Sequence, residues 1–371
     1  MRVLFLHRQP CIRTLKYGVA LRNHGGVDLA YAYQGRTLSG FYGSGDELFD
    51  AWYPVGLDPR DGIAAAVDDF RPDVIHSHNL PDVLTVIARD VVGDSVGIVH
   101  DVHDFQSLRN TPYDDGFPDI LDPEGAERAA VEGSDALVTV GQVLMDEISD
   151  RYRVPDESLI IPNLALERDL PSADVILRPR SPGPLRIAYQ GTLSIGGGHY
   201  DLRDIFAAIA GTDDVELHVH PSQPALPEYR SLAERFANVT LYDPMRPEDL
   251  LARLPMYDAG WAGFNDSRNA AHLATVLPNK AFEYVGCGLP VLTLPHRALA
   301  RWVTEEGTGV VLADVGGFAD AIRDLDLAGM RRHLVRVRDR FTMEGAAADL
   351  VDLYARVGHR VAMPRSDAAA R

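Results

Sequence analysis

The chain has 371 residues, 24% charged and 46% hydrophobic, with a formal net charge of −18. That is the composition of a globular protein of about two domains, and its acidity argues against broad nucleic-acid binding or a generally basic membrane-facing surface. Cys11 and Cys287 are the only cysteines, which excludes a disulfide framework and makes a reducing cytosol the default expectation.

The opening run MRVLFLHRQP is too short and too soon broken by Arg8 and Pro10 to read as a signal peptide. No run of about 18 apolar residues occurs, so no membrane span is expected. RVLFLH (Arg2 to His7) predicts a strand, RTLKYGVALRNHGG a helix closed by Gly25 and Gly26, and DLAYAY a second strand. Residues 35–58 are Gly-rich and aromatic and read as a long loop around a short helix. RDGIAAAVDDF, LPDVLTVIARDVVG, DPEGAERAAVEGS and QVLMDEISDRYRV read as helices. RPDVIHSHN, SVGIVHDVHDF, DALVTVG and SLIIPN read as the strands that alternate with them. Strand–helix alternation is the signature of βαβ units on a parallel sheet.

Composition shifts from Leu166 to Pro184, where Pro171, Pro179, Pro182 and Pro184 cluster. A second alternating series follows at once: LRIAYQG, VELHVHP, VTLYD, YDAGWAGF, LPVLTL and GVVLAD as strands, with helices between. The expected organisation is an α/β chain of two tandem Rossmann-like, doubly wound domains. These are residues 1–170 and 185–340, joined by a linker at 171–184 and followed by a C-terminal helix and frayed tail over 341–371.

Ligands of such sheets bind outside the carboxyl ends of the strands, so those ends supply the candidates. His103 and Asp104 follow one strand; a histidine there can take or give a proton, and Asp104 can orient it or meet a hydroxyl. His76 and His78 alternate, so one is expected to face the ligand side and the other to pack. Arg8, His78 and Asn79 are the acceptor-side candidates of the first domain. In the second, Gly191 and Thr192 end a strand, and Gly196 to Gly198 let backbone N–H groups approach a phosphate. PNKAFEYVGCGLPVL gives a short helix whose N-terminus suits an anion, with Asn279, Lys280 and Glu283 at its start. Lys280 can hold an anion and Glu283 can accept from paired hydroxyls, as a nucleotide sugar requires. Lys280 and Lys16 are the only lysines beside 34 arginines. No G-x-G-x-x-G, P-loop, nucleophile elbow or Cys/His zinc pattern is present, so no metal ligands are assigned. RRHLVRVRDR (Arg331 to Arg340) is a basic helix, read first as a solvated face and second as a membrane-surface or anionic-substrate face.

Taken in order, RPDVIHSHN, GIVHDVHD, AERAAVEGSDALVTVG, RYRVPDESLIIPN, LRIAYQGTL, YDAGWAGF and above all PNKAFEYVGCGLPVL resemble blocks of the retaining, family-4-like glycosyltransferases of the GT-B fold. The resemblance covers most of the chain. It implies two domains facing a cleft, with a C-terminal helix (Met343 to Val357) crossing back onto the N-terminal domain. It implies transfer of a hexose-type sugar from a nucleoside-diphosphate sugar, UDP among the carriers, to a glycan, lipid-linked or small-molecule acceptor. No cofactor, metal or nucleic acid is implied, and the setting is cytoplasmic or peripheral to the inner face of a membrane. Glu283 matches the family glutamate that binds the donor ribose, and His103 the family histidine near the donor sugar and phosphates.

The chain departs from the family pattern in three places. Thr275 stands at the first of two glutamate positions, no Arg or Lys follows Gly191–Thr192, and the glycine pair after the first strand is missing. These losses shift the expected diphosphate contacts onto Lys280, the helix start and Gly196–Gly198. A nucleotide-sugar epimerase or hydrolase of the same fold, and a non-catalytic nucleotide-sugar-binding or partner protein, remain the alternative readings.

Overall fold

The computed structural model describes residues 1–35, 47–56, 58–110, 121–179, 182–323 and 325–362. Most of the loop expected at 35–58, residues 111–120 and the tail beyond 362 lie outside the described residues. The chain divides into two compact units, one built from Met1–Pro162 with the segment from Ala346 onward, the other from Asn163–Gly345.

The N-terminal unit contains β1 (Arg2–His7), β2 (Asp28–Tyr33), β3 (Ala51–Pro54), β4 (Val74–His78), β5 (Gly97–Val102), β6 (Ala136–Thr139) and β7 (Glu157–Ile160). They form one parallel sheet in the order β3-β2-β1-β4-β5-β6-β7. The second unit contains β8 (Leu185–Gly191), β9 (Val215–Pro221), β10 (Val239–Leu241), β11 (Ala259–Trp261), β12 (Val291–Thr293) and β13 (Gly309–Val311). Its parallel order is β10-β9-β8-β11-β12-β13. In both sheets the order reverses beside the unit's first strand, between β1 and β4 and between β8 and β11. That is where an open α/β sheet leaves a ligand crevice.

The inner strands β1, β4 and β5 are buried almost throughout because helices cover both faces of a parallel sheet. Val3, Leu4, Phe5 and Leu6 of β1 have no exposed surface. Leu4, Leu6, Ile75 and Ile98 pack with Ile63 and Phe70 of the helix Pro59–Phe70 and Leu84 of the helix Val83–Val92. Ile187, Tyr189, Phe206, Leu217 and Trp261 form the second core. Each such large side chain gains about 1.5–3 kcal/mol on burial. Aspartates close the helix starts: Asp58, Asp122 and Asp326 accept from the backbone N–H groups of Arg60, Gly125 and Gly329.

The C-terminal helix runs from Met343 to Ala362. Tyr354 and Val357 on it are fully buried, and Arg356 meets Glu157 of β7 at 2.8 Å.

The structure corrects three expectations. Ala51–Pro54 is a strand, paired in parallel with β2. The Pro-rich segment is not a bare connector: it holds a short helix, Ala173–Ile176, and Ile176 is fully buried. The basic helix spans Leu327–Val337, and Arg331 on it is 7% exposed. Its guanidinium donates to the carbonyls of Ile176, Pro255 and Tyr257, so this one arginine ties backbone together, while Arg332, Arg336 and Arg340 are exposed as the solvated-face reading expects.

Candidate functional site

The second unit places its donor-side residues where β8 ends. The helix Asn279–Gly286 begins after Pro278, which takes the cap position. Gly288, at φ +74°, turns the chain toward β12, and a Cβ there would meet Ile176 Cγ2 at 2.2 Å. The helix is thereby held against the 173–176 segment and its start faces β8.

Lys280 is 8% exposed, and its Nζ has no hydrogen-bond partner among the described residues. It lies 4.2 Å from the centre of the Tyr189 ring, with Phe264 and Tyr200 at 5.8 and 6.0 Å. Gly191, at φ +131°, makes room for it: a Cβ on Gly191 would sit 3.1 Å from Nζ. Burial pulls the Lys280 ammonium down to a pKa of about 7, against the opposing pull of Glu283. One turn on, Glu283 accepts from Gln190 Nε2. Asn279 Oδ1, at the helix start, is also buried without a partner.

The remaining donor-side candidates separate from this group. Thr192 is exposed, with its hydroxyl 3.4 Å from that of Ser222. The Gly-rich turn is held internally: Gly197 N–H donates to Asp201 at 2.9 Å, Asp201 N–H donates to Gly198 O, and Arg203 grips Asp201. Gly197 therefore spends its N–H inside the turn, contrary to its expected phosphate role. Thr275 donates its hydroxyl to His272 O at 2.8 Å, closing its own turn where the resemblance implies a carboxylate.

In the first unit the strand ends gather histidines around a buried ion pair. Asp101 has no exposed surface. It accepts from Arg13 Nε at 3.1 Å and Tyr17 OH at 2.9 Å. Arg13 continues to the carbonyls of Ile161 and Pro162. His76 Nε2 and His78 Nδ1 lie 3.4 and 3.7 Å from Asp101. On the other side of the ring, His76 Nδ1 and Tyr354 OH share a hydrogen bond of 2.5 Å. Burial alone would raise the Asp101 carboxyl, but Arg13, then His76 and His78, hold it well below the usual range. Burial keeps both imidazoles neutral, His78 the more so because His76 stands beside it.

The expected split of His76 and His78 between two faces is overturned. Residues two apart in a strand share a face, and the rings stack at 4.4 Å, both fully buried. Ligand atoms of His76, His78 and Asp101 lie within 4.8 Å of one another. A divalent ion among them would face the Arg13 guanidinium, 3.0 Å from the same carboxylate, so the set fits an ionic hub and not a metal centre.

Asn79 is also fully buried. Its Oδ1 accepts from His103 N–H at 3.0 Å, and its Nδ2 donates to Asp104 O. It clips the turn that carries His103 and Asp104 and offers no exposed surface to an acceptor. His103 is half-buried, with its ring edge-on to His7 at 6.3 Å. Its Nδ1 lacks a partner among the described residues. Burial lowers its pKa, opposed by Asp104 and Asp101. Arg8 is half-buried, and its carbonyl accepts from Gln34 and Gly35.

The sequence reading placed Gln190 at a strand end without joining it to Glu283, and it missed Asp101 as a hub and Tyr354. Strand register carried the signal for Asp101, since His78 pairs with it across β4 and β5.

No family model matches the chain, and no curated protein matches it. Solved structures do. Sucrose-phosphate synthase from Thermosynechococcus elongatus is similar at TM-score 0.71 and 15% identity, over 97% of this chain and 100% of that one. The Anabaena protein HepE, solved with UDP, is similar at TM-score 0.68 and 14% identity, over 96% and 100%. A glycosyltransferase from Rickettsia africae gives TM-score 0.69 and 12% identity, over 96% and 98%. The chain has the GT-B fold. Within that GT-B fold, both groups described above stand at the reversal points of their own sheets, at the ends of β1, β4 and β5 in one unit and of β8 in the other.

Proposed function

We propose that the chain is a glycosyltransferase that moves a hexose-type sugar from a nucleoside-diphosphate sugar to an acceptor, with retention and without a resident metal. One observation carries this reading: a buried, unpartnered lysine ammonium stands beside a left-handed glycine at a sheet reversal point, with Glu283 one helical turn away. An anion entering there would regain for Lys280 the hydrogen bonds that burial removed, and charge-assisted bonds of this kind are the strong ones. UDP is the first carrier to test, because HepE is solved with UDP and with UDP-glucose.

In this reading the departing diphosphate is stabilised by Lys280 and the N–H groups of the helix start, fixed positive groups aimed at developing charge. Glu283 accepts from the ribose hydroxyls. His103, kept neutral by burial, serves the sugar-transfer step from the N-terminal unit, and no enzyme nucleophile is assigned. The acceptor is a glycan, lipid-linked or small molecule, and contact with a membrane surface belongs to the same proposal. The closed turn at Thr275 favours one second reading, a nucleotide-sugar-binding protein without transfer activity. Titrating the protein with UDP-, GDP-, ADP-, CDP- and dTDP-sugars, then following the bound donor by NMR with and without acceptor mixtures, separates the two. Donor loss only with acceptor supports transfer, loss without acceptor indicates an epimerase or hydrolase, and binding without turnover supports the second reading.

A further inference from the structure

Gln190 has no role in that scheme. Gln190 ends β8 beside Gly191 and is 5% exposed. Its Nε2 donates to Glu283 Oε2, and its backbone N–H donates to Tyr284 OH at 2.9 Å. An ionised carboxylate only accepts, so the amide must turn its nitrogen toward Glu283. The direction of Oε1 is thereby fixed away from Glu283. Gln190 Oε1 is buried and has no hydrogen-bond partner among the described residues. Lys280 Nζ and Asn279 Oδ1 share that condition on the adjoining helix start. Buried polar atoms are nearly always paired, so three such atoms on one strand end and one helical turn mark a place shaped for a polar ligand.

We propose that Gln190 is a specificity-determining residue: its Oε1 accepts one hydroxyl of the ribose whose diol Glu283 meets, so the pair selects ribonucleotides over deoxyribonucleotides. This rests on the donor-binding reading above. The chemistry is a match of counts, since a ribose diol brings two O–H donors and Gln190 and Glu283 bring neighbouring acceptors. Gln190 is also the residue that holds Glu283, so loss of its side chain removes one acceptor and loosens the other.

The test is calorimetric titration of the full chain with the nucleoside diphosphate that binds best among UDP, GDP, ADP, CDP and dTDP, and with its 2′-deoxy and 3′-deoxy analogues. Wild type and Gln190→Leu are compared, with Gln190→Met carrying the comparison if the leucine variant does not fold. In wild type the loss of one hydroxyl should weaken binding about tenfold, and in the variant the same loss should cost about twofold or less. Equal costs in both proteins, an equal relief at both hydroxyls, or tightest binding of a deoxynucleotide by wild type would overturn the assignment. If wild type binds no nucleoside diphosphate, the donor-binding reading falls first. If it binds one and the cycle shows no coupling, only the role of Gln190 falls.

Discussion

Lys280 Nζ lies 4.2 Å from the centre of the Tyr189 ring. The ring face attracts the ammonium by about 0.5–2 kcal/mol, which does not replace the lost water, and burial pulls the pKa to about 7. The unfolded value is about 10.4. The unfolded chain therefore holds more protons between these two values, and burying Lys280 costs most stability at and below pH 7, the cost fading toward pH 10. Lys280→Met should raise the melting temperature of the free protein at pH 7, by about 2–4 °C for each kcal/mol recovered. The gain should shrink as pH rises to 10, which thermal unfolding at several pH values checks.

The Asp101 hub makes the opposite prediction. Asp101→Asn leaves Arg13 buried beside a neutral amide, and removing one partner of such a pair costs about 3–5 kcal/mol. Urea unfolding at pH 7 should show that loss. The acid limb follows from the signs. Burial lowers the folded pKa values of His76, His78 and His103 below the ordinary histidine value of about 6.5. Their contribution is present above that value and is lost as pH falls through the folded values. Asp101 adds a second loss at lower pH, below the carboxylate range, as it protonates. His78→Phe, which removes the more strongly shifted imidazole, should flatten the first part of the limb.

Asn79, expected on the acceptor side, instead holds the backbone of His103 and Asp104. Asn79→Ala leaves His103 N–H and Asp104 O without their partner, at about 1–3 kcal/mol for each buried group left unpaired. The His103 ring should lose its fixed setting, so its NMR titration should move toward the ordinary histidine range. Donor turnover should fall in kcat more than nucleotide affinity falls. Unchanged His103 titration in a folded Asn79→Ala protein would contradict the clip.

Sequence and structure agree most closely where local chemistry decides. The strands β1, β2, β8 and β9 start and end as their residues predict, because most of their positions are buried in the sheet. β3 escaped notice because Ala51–Pro54 is short, half-exposed and ends in proline. Arg331 and Asn79 look like surface or ligand residues by type. Only the fold brings the carbonyls of Ile176, Pro255 and Tyr257 to one and the His103–Asp104 turn to the other. The PNKAFEYVGCGLPVL stretch points to Lys280 and Glu283, but Gln190 stands 93 residues before Glu283, and nothing local joins them.

Nucleotide binding by Lys280 and Glu283 is the centre of the account. Calorimetric titration with the five nucleoside diphosphates should find one that wild type binds. Lys280→Met should weaken it about 10- to 100-fold, the equivalent of one lost charge-assisted bond. Glu283→Ala should weaken it comparably and reduce the difference between ribo- and deoxyribonucleotides. Wild-type affinity for every nucleoside diphosphate in both folded variants would contradict the account.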